Sequence, residues 1–171
     1  EEAIVCYDDA LKIEPKYAAA LSNKGNVLNN LGRHDEAIVW HDKALAIEPQ
    51  LVFSLNRKGV SLVDLGRCDE AIVCYDKALA IDPRHVDSLN FKGIALINLK
   101  KYEDAIVCYD DALKIEPKYA DALGNKGIAL MALQKYDEAI VCYDKALAIV
   151  PNEVVVLYNK GSVLNILKKY E

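Results

Sequence analysis

Apolar residues recur at helical spacing along this chain, in segments of about a dozen residues separated by short turns. Leu21 and Leu28 belong to the apolar stripe of residues 18–31, and Ala37 begins a second stripe in residues 35–48. A proline follows each second segment and ends it, because proline donates no hydrogen bond and the residue before it avoids the helical conformation. The pattern predicts two helices joined by a tight turn.

The helix pair is repeated with a period of 34 residues. The stretch AIVCYDDALKIEPKYA occurs at residues 3–18 and again, unchanged, at 105–120, three periods later. The prolines of the chain follow this spacing: Pro15, Pro49, Pro83, Pro117 and Pro151. A series of glycines does the same: Gly25, Gly59, Gly93, Gly127 and Gly161. A fixed period in this range is typical of a solenoid, in which each helix pair buries its apolar faces against its neighbours.

The period divides the chain into full repeats between two single helices. A lone second helix is predicted in residues 1–17 and a lone first helix in residues 154–171. The full repeats are 18–51, 52–85, 86–119 and 120–153. We therefore predict an all-α fold, a single solenoid of antiparallel helix–turn–helix repeats over residues 1–171.

Several columns of the repeat share one residue type. The small residue of the first helix is the glycine series that starts at Gly25. Two alanine columns of the second helix are Ala3, Ala37, Ala71, Ala105, Ala139 and Ala10, Ala44, Ala78, Ala112, Ala146. The aromatic column between them is Tyr7, Tyr75, Tyr109 and Tyr143, with His41 as the exception. In these columns the whole chain resembles the tetratricopeptide repeat family, as a regular, consensus-like array of the prokaryotic type.

The resemblance implies a right-handed superhelix. It also implies that the first helices line a concave face, and that this face binds peptides or partner proteins. Two features depart from the family: Leu21 and Leu28 stand where Trp and Tyr are frequent, and Lys24 and its equivalents stand where leucine is more usual. Either their stems pack while the ammonium groups reach water or a carboxylate, or they form a positive ladder along the solenoid. The lysine column is Lys24, Lys58, Lys92, Lys126 and Lys160.

Composition and charge narrow the possible partners. The chain is 53% hydrophobic and 27% charged, which suits a packed domain, and its net charge of −5 disfavours nucleic acid. No apolar run approaches the roughly 20 residues that span a bilayer, and no signal-like segment opens the chain, so we expect no membrane partner. Five cysteines without a CxxC pair favour neither a disulfide framework nor a zinc site. A reducing, cytoplasmic location is the resulting expectation.

Catalytic patterns are absent from the sequence. The three histidines fit no metal or nucleophile motif, and His41 stands in a column of tyrosines, where core packing explains it. The pair Asp8–Asp9 resembles an acid–base dyad, but equivalent positions read Asp42–Lys43, which indicates a solvated helix face. We expect no enzymatic activity, no cofactor and no bound metal.

Recognition is expected where neighbouring repeats differ. Off-core columns of the first helices are apolar in the central repeats and polar at both ends, which is typical of a recognition groove. The open alternative is that neighbouring first helices partly bury these side chains. Acidic residues beside the patch favour a basic partner. The predicted partner-binding residues are Phe53, Asn56, Val60, Val63, Asp64, Asp87, Asn90, Ile94, Ile97, Asp121, Ile128 and Met131.

A second function, self-association, is suggested by the single helices at the two ends. The closing helix of one copy would dock on the opening helix of the next and complete a repeat, giving head-to-tail growth. An outward valine column on the second helices, which contains Val107 and Val141, would add to such contacts. The alternative is that the chain is a piece of a longer array. The predicted end residues are Ile4, Tyr7, Leu11, Leu157, Leu164 and Leu167.

Overall fold

The computed structural model describes residues 2–168, which form ten α-helices and no strand. The helices predicted in residues 18–31 and 35–48 are confirmed to within one residue, and the fold is an all-α helical repeat. The helices are α1 (Glu2–Ile13), α2 (Ala18–Asn30), α3 (His34–Ile47), α4 (Val52–Asp64), α5 (Cys68–Ile81), α6 (Val86–Asn98), α7 (Tyr102–Ile115), α8 (Ala120–Ala132), α9 (Tyr136–Ile149) and α10 (Val154–Leu167).

The helices group into two compact units, one ending at Pro83 and the other beginning at Arg84. Helices α1–α5 form the N-terminal unit and α6–α10 the C-terminal unit. Within the described part of each unit, each first helix contacts the next first helix: α2 contacts α4, and α8 contacts both α6 and α10. The second helices contact only first helices. The first helices therefore form the inner layer of each unit. That one solenoid spans both units stays a prediction.

The turn inside each hairpin uses a left-handed residue. At the end of α2, Gly32 has φ of +75°, and the N–H of Arg33 donates to the carbonyl of Leu28 at 2.9 Å. This is the geometry that commonly closes a helix with glycine. Lys100 and Gln134 occupy the equivalent position after α6 and α8 with φ of 60° and 61°. The hydrogen-bonded turn therefore imposes this conformation even where the residue carries a side chain.

Close packing of each hairpin depends on the contact between the glycine column and the aromatic column. A Cβ atom added to Gly93 would lie 2.5 Å from Cε1 of Tyr109, a side chain with no exposed surface. Gly59 and Gly127 meet Tyr75 and Tyr143 in the same way. These three glycines therefore allow close packing of their hairpins, because the tyrosine ring occupies the space that a side chain would need.

His41 replaces tyrosine in the hairpin of α2 and α3. Its side chain is fully buried, and neither ring nitrogen has a hydrogen-bond partner among the described residues. Burial is the main cause that lowers the pKa of His41 to about 4, and the positive charges of Arg57 and Lys58 lower it further, while Asp42 opposes them. His41 is thus a neutral core residue at pH 7, as its column predicts.

The lysine column joins successive hairpins. Lys58 donates to the carboxylate of Asp42 at 2.6 Å, sixteen residues earlier. The same pairing recurs as Lys24–Asp8, Lys126–Asp110 and Lys160–Asp144. The ammonium group of Lys24 also lies 3.8 Å from the ring centroid of Trp40. In these four repeats the lysines are confirmed as structural, with packed stems and ammonium groups paired to carboxylates.

Candidate functional site

A cavity of about 330 Å³ opens on the inner layer of the C-terminal unit. It lies among the first helices α6, α8 and α10, and residues near the end of α9 close one side. Its walls are largely apolar, with Phe91 and Ile94 from α6, Ile128 from α8 and Val155 from α10. A concave apolar site of this volume is suited to hold side chains of a ligand.

Three asparagines, one on each first helix, supply the polar groups of the cavity. Asn90 is 3% exposed, and its Oδ1 accepts a hydrogen bond from Nδ2 of Asn125 at 3.0 Å. Asn125 and Asn159 are half-buried and also line the cavity. A carboxamide both donates and accepts, so these residues match the groups of a peptide backbone.

The formal charge of the cavity lining is negative. Asp121, in the first turn of α8, and Glu153, at the N-terminal boundary of α10, are both exposed and both line it. The described residues that line the cavity include no lysine, arginine or histidine. Each carboxylate lies at the positive end of a helix, which stabilises its ionised form.

Two family models described as tetratricopeptide repeat match the chain, one over residues 86–119 and 120–153 and the other over residues 16–84. The chain belongs to the tetratricopeptide repeat family. Repeats of this family are typically non-catalytic interaction modules, and this chain is accordingly a protein–protein interaction scaffold. No curated protein matches the chain.

Solved tetratricopeptide repeat proteins are similar to this chain over most of its length. YrrB, described as having an unusual peptide-binding site, is 25% identical with a TM-score of 0.76, and the match covers 94% of this chain and 83% of YrrB. A thermophilic protein of Thermus thermophilus, TTC0263, is 20% identical with a TM-score of 0.81, covering 94% and 88%. A protein of Parabacteroides merdae is 21% identical with a TM-score of 0.82, covering 97% and 66%. The last two comparisons show the fold.

The cavity of this tetratricopeptide repeat chain includes part of the predicted partner-binding set. The predicted residues that line it are Asn90, Ile94, Asp121 and Ile128. Asp87, Ile97 and Met131, predicted in the same unit, do not line it. Asp87 accepts a hydrogen bond from the Tyr119 hydroxyl at 2.7 Å, and Met131 packs against the core cluster. For Met131 the structure therefore supports the alternative that its side chain is partly buried by packing.

The predicted residues of the N-terminal unit lie in more varied surroundings. Phe53 is exposed beneath the guanidinium of Arg57, 5.3 Å from its ring centroid, and Val60 and Val63 are half-buried. The carboxylate of Asp64 lies 3.5 Å from Nδ1 of His34. These residues line no cavity described within that unit.

Part of one column of the first helices was predicted to be exposed but is buried in the structure. Asn56 and Asn90 were expected off the core, but they are only 5% and 3% exposed. Their column begins at Ser22 on α2 and lies against the neighbouring first helix. At its first position, the hydroxyl of Ser54 on α4 donates a hydrogen bond to the hydroxyl of Ser22. Asn56 is therefore closed to a partner, whereas Asn90 reaches the cavity from its buried position.

The adjacent column, one residue after Asn56 and Asn90, was not assigned to the partner-binding set from the sequence. It places Phe91, Asn125 and Asn159 in the cavity. A usable signal was present, because Asn125 stands four residues after Asp121 and three before Ile128, a spacing that puts all three on one helix face.

The predicted end residues differ in their exposure, and their role in self-association stays a prediction. Leu157 and Leu164 on α10 are exposed, while Leu167 packs against the core cluster. On α1, the side chains of Ile4, Tyr7 and Leu11 are half-buried. Gly161 on α10 differs from the other glycines of its column, since an added Cβ would meet no atom within 4 Å.

Residues 2–168 contain neither a membrane-spanning helix nor a cluster of metal ligands. None of their helices is long and apolar enough to cross a bilayer. No group of three or more histidine, cysteine, aspartate or glutamate side chains in this range is arranged to hold a metal ion.

Proposed function

We propose that this scaffold binds an extended segment of a partner polypeptide in the inner groove of its C-terminal unit. The observation that carries the proposal is the cavity of about 330 Å³, with an apolar floor and one asparagine from each of three first helices. A volume of this size has room for one or two large side chains. The peptide-binding site ascribed to YrrB, a relative of the same fold, supports this choice of ligand.

The arrangement of polar and apolar groups suits an extended peptide. Successive side chains of an extended chain point to opposite sides, so alternate residues can enter a groove while the backbone stays at its rim. Asn125 and Asn159 can then donate to backbone carbonyls and accept from backbone N–H groups. The apolar floor around Ile94 and Ile128 supplies the burial of a large side chain.

The first test removes the apolar floor. Peptides of roughly ten residues, long enough to cross the groove at about 3.3 Å per residue, are selected from a random displayed library on the wild-type protein. In the variant Ile94→Lys/Ile128→Lys, the selected peptides should bind at least roughly tenfold more weakly, because the ammonium groups occupy the apolar site and cost desolvation. Binding is measured by isothermal titration calorimetry.

The matched control is Val107→Lys/Val141→Lys, which adds the same charges on exposed positions of α7 and α9. It should bind the peptides as the wild type does, with an unchanged circular dichroism spectrum in all three proteins. Peptides that bind the Ile94→Lys/Ile128→Lys protein with wild-type affinity would show that the groove is not the binding site.

A second candidate function is self-association, favoured by the open notch at Gly161. In the hairpin of α6 and α7, Tyr109 fills the space over Gly93. The segment around Tyr7 is identical in sequence to that around Tyr109, and its ring is half-buried. Tyr7 of a second copy would fit over Gly161 as Tyr109 fits over Gly93, and the exposed Leu157 and Leu164 would be covered at the same time.

The variant Gly161→Ala distinguishes this specific contact from non-specific hydrophobic association. For the wild type, we expect light scattering to give a mass that grows beyond a dimer as the concentration rises. Gly161→Ala should stay monomeric, since its methyl group would overlap the incoming Tyr7 ring while meeting nothing in the single chain. A wild-type protein that is monomeric at every concentration would rule out self-association.

A further inference from the structure

The cavity of the C-terminal unit has acidic residues at one end and apolar residues at the other. On α8, Asp121, Asn125 and Ile128 follow one another at intervals of four and three residues and share one face. The carboxylate is at the N-terminal end of this row and the apolar side chain lies farther along it. Glu153, the residue immediately before α10, also lines the cavity, and Asn159 follows it farther along that helix.

Asp121 and Glu153 both line the cavity, each at the N-terminal end of its helix. Helices α8 and α10 both pack against α9 and reverse direction relative to it, as consecutive helices of hairpins do, so they run in the same direction. Asp121 and Glu153 therefore belong to the same end of the groove. Both are exposed, which leaves their carboxylates open to a ligand.

Basic side chains of the same helices are engaged elsewhere. Lys126 of α8 is paired with Asp110, and Lys160 of α10 is paired with Asp144. Neither lysine lines the cavity. The two carboxylates at the cavity are thus not balanced by these neighbouring ammonium groups.

We propose that the cavity selects a peptide segment that carries an arginine or lysine close to a large apolar side chain. The cation would lie between Asp121 and Glu153, and the apolar side chain would enter between Ile94 and Ile128. Seven helical residues separate Asp121 from Ile128, about 10 Å along the axis, which an extended chain covers in about three residues. This assignment rests on the groove being the peptide-binding site, and adds the chemistry of its ligand.

Acidic residues in a first helical turn also stabilise the helix without any ligand, so the test needs a control for that effect. Asp104, in the first turn of α7, and Glu138, in the first turn of α9, are also carboxylates close to helix N-termini, but they do not line the cavity; Glu138 lies 3.8 Å from the ammonium group of Lys135. The variant Asp104→Asn/Glu138→Gln therefore removes two equivalent charges elsewhere in the same unit.

The experiment uses the random displayed library of ten-residue peptides on three proteins: wild type, Asp121→Asn/Glu153→Gln and the control pair. Wild type and control should enrich peptides with arginine or lysine two to four residues from a large apolar residue. The Asp121→Asn/Glu153→Gln protein should retain the apolar preference, lose the basic one, and bind wild-type peptides roughly tenfold more weakly, as two partly exposed ion pairs would give. Raising the salt concentration should weaken wild-type binding and leave that variant nearly unchanged.

The outcomes distinguish this inference from the proposed function. Enriched peptides without a basic preference, or equal binding by the Asp121→Asn/Glu153→Gln protein, would overturn the inference while leaving the groove as the site. Peptides that bind regardless of Ile94→Lys/Ile128→Lys, or no enrichment at all, would overturn both. A basic preference that disappears only when Asp121 and Glu153 are neutralised supports the inference.

Discussion

Gly93→Ala is expected to destabilise the protein by about 1–3 kcal/mol, although alanine is the better helix former. The added methyl carbon would lie 2.5 Å from Cε1 and 2.6 Å from Cζ of Tyr109. The tyrosine ring is fully buried and cannot turn outward, so α6 and α7 must move apart and lose contacts along the hairpin. The midpoint of urea unfolding, followed by far-ultraviolet circular dichroism, measures the loss.

Gly161→Ala is the matched control, because the same substitution there meets no atom within 4 Å. In dilute solution it should raise stability by up to about 1 kcal/mol through helix propensity. Tyr109→Leu should relieve part of the cost of Gly93→Ala, since the two changes remove and add volume at one contact. A Gly93→Ala protein as stable as the wild type would contradict the packing role assigned to the glycine column.

Acidification is expected to destabilise the N-terminal unit through His41, by about 2 kcal/mol between pH 7 and pH 5. Burial lowers the pKa of this histidine from about 6.5 to about 4. The unfolded chain therefore binds a proton at a higher pH than the folded chain does. The contribution of His41 is fully present above pH 6.5 and is lost as the pH falls from there towards 4. Fluorescence of Trp40, the single tryptophan of the chain, follows unfolding in urea at each pH.

His41→Tyr restores the residue of the other repeats and serves as the control. Tyrosine does not ionise in this range, so the variant should lose much less stability between pH 7 and pH 5 than the wild type. Ion pairs such as Lys58–Asp42 remain in both proteins and their effect cancels in the comparison. Identical pH profiles for the two proteins would show that protonation of His41 does not limit stability.

The period of 34 residues was sufficient to predict the helices and their packing partners. It could do so because each hairpin repeats the same local contacts, such as Gly93 with Tyr109, at a fixed separation along the chain. Prolines and left-handed turn residues then mark the ends of the helices. Even the unusual lysine column was interpretable, since a lysine beside an apolar stripe is expected to pack its stem while its ammonium group reaches water or a carboxylate, and Lys58 pairs with Asp42.

The candidate site was predicted only in part, because it depends on which helices lie side by side. Helical periodicity placed Ile94, Ile128 and Asp121 on the inner face, and the cavity contains them. The same reasoning placed Asn56 there as well, although the adjacent first helix covers it. Asn125 and Asn159 were overlooked for a different reason. Their column, which also contains Arg57 and Phe91, lacks the run of apolar residues that marked the predicted groove, and only the packing of α6, α8 and α10 places it at the cavity.

The sequence by itself determined the repeat, the helix boundaries and the residues that hold each hairpin together, because these follow from contacts within one period. Only the tertiary structure decided which variable side chains are exposed, which are covered by the next helix, and where an open volume remains. Exposure depends on the angle and distance between successive first helices. Those quantities arise from packing between repeats, which the letters of any single repeat do not specify.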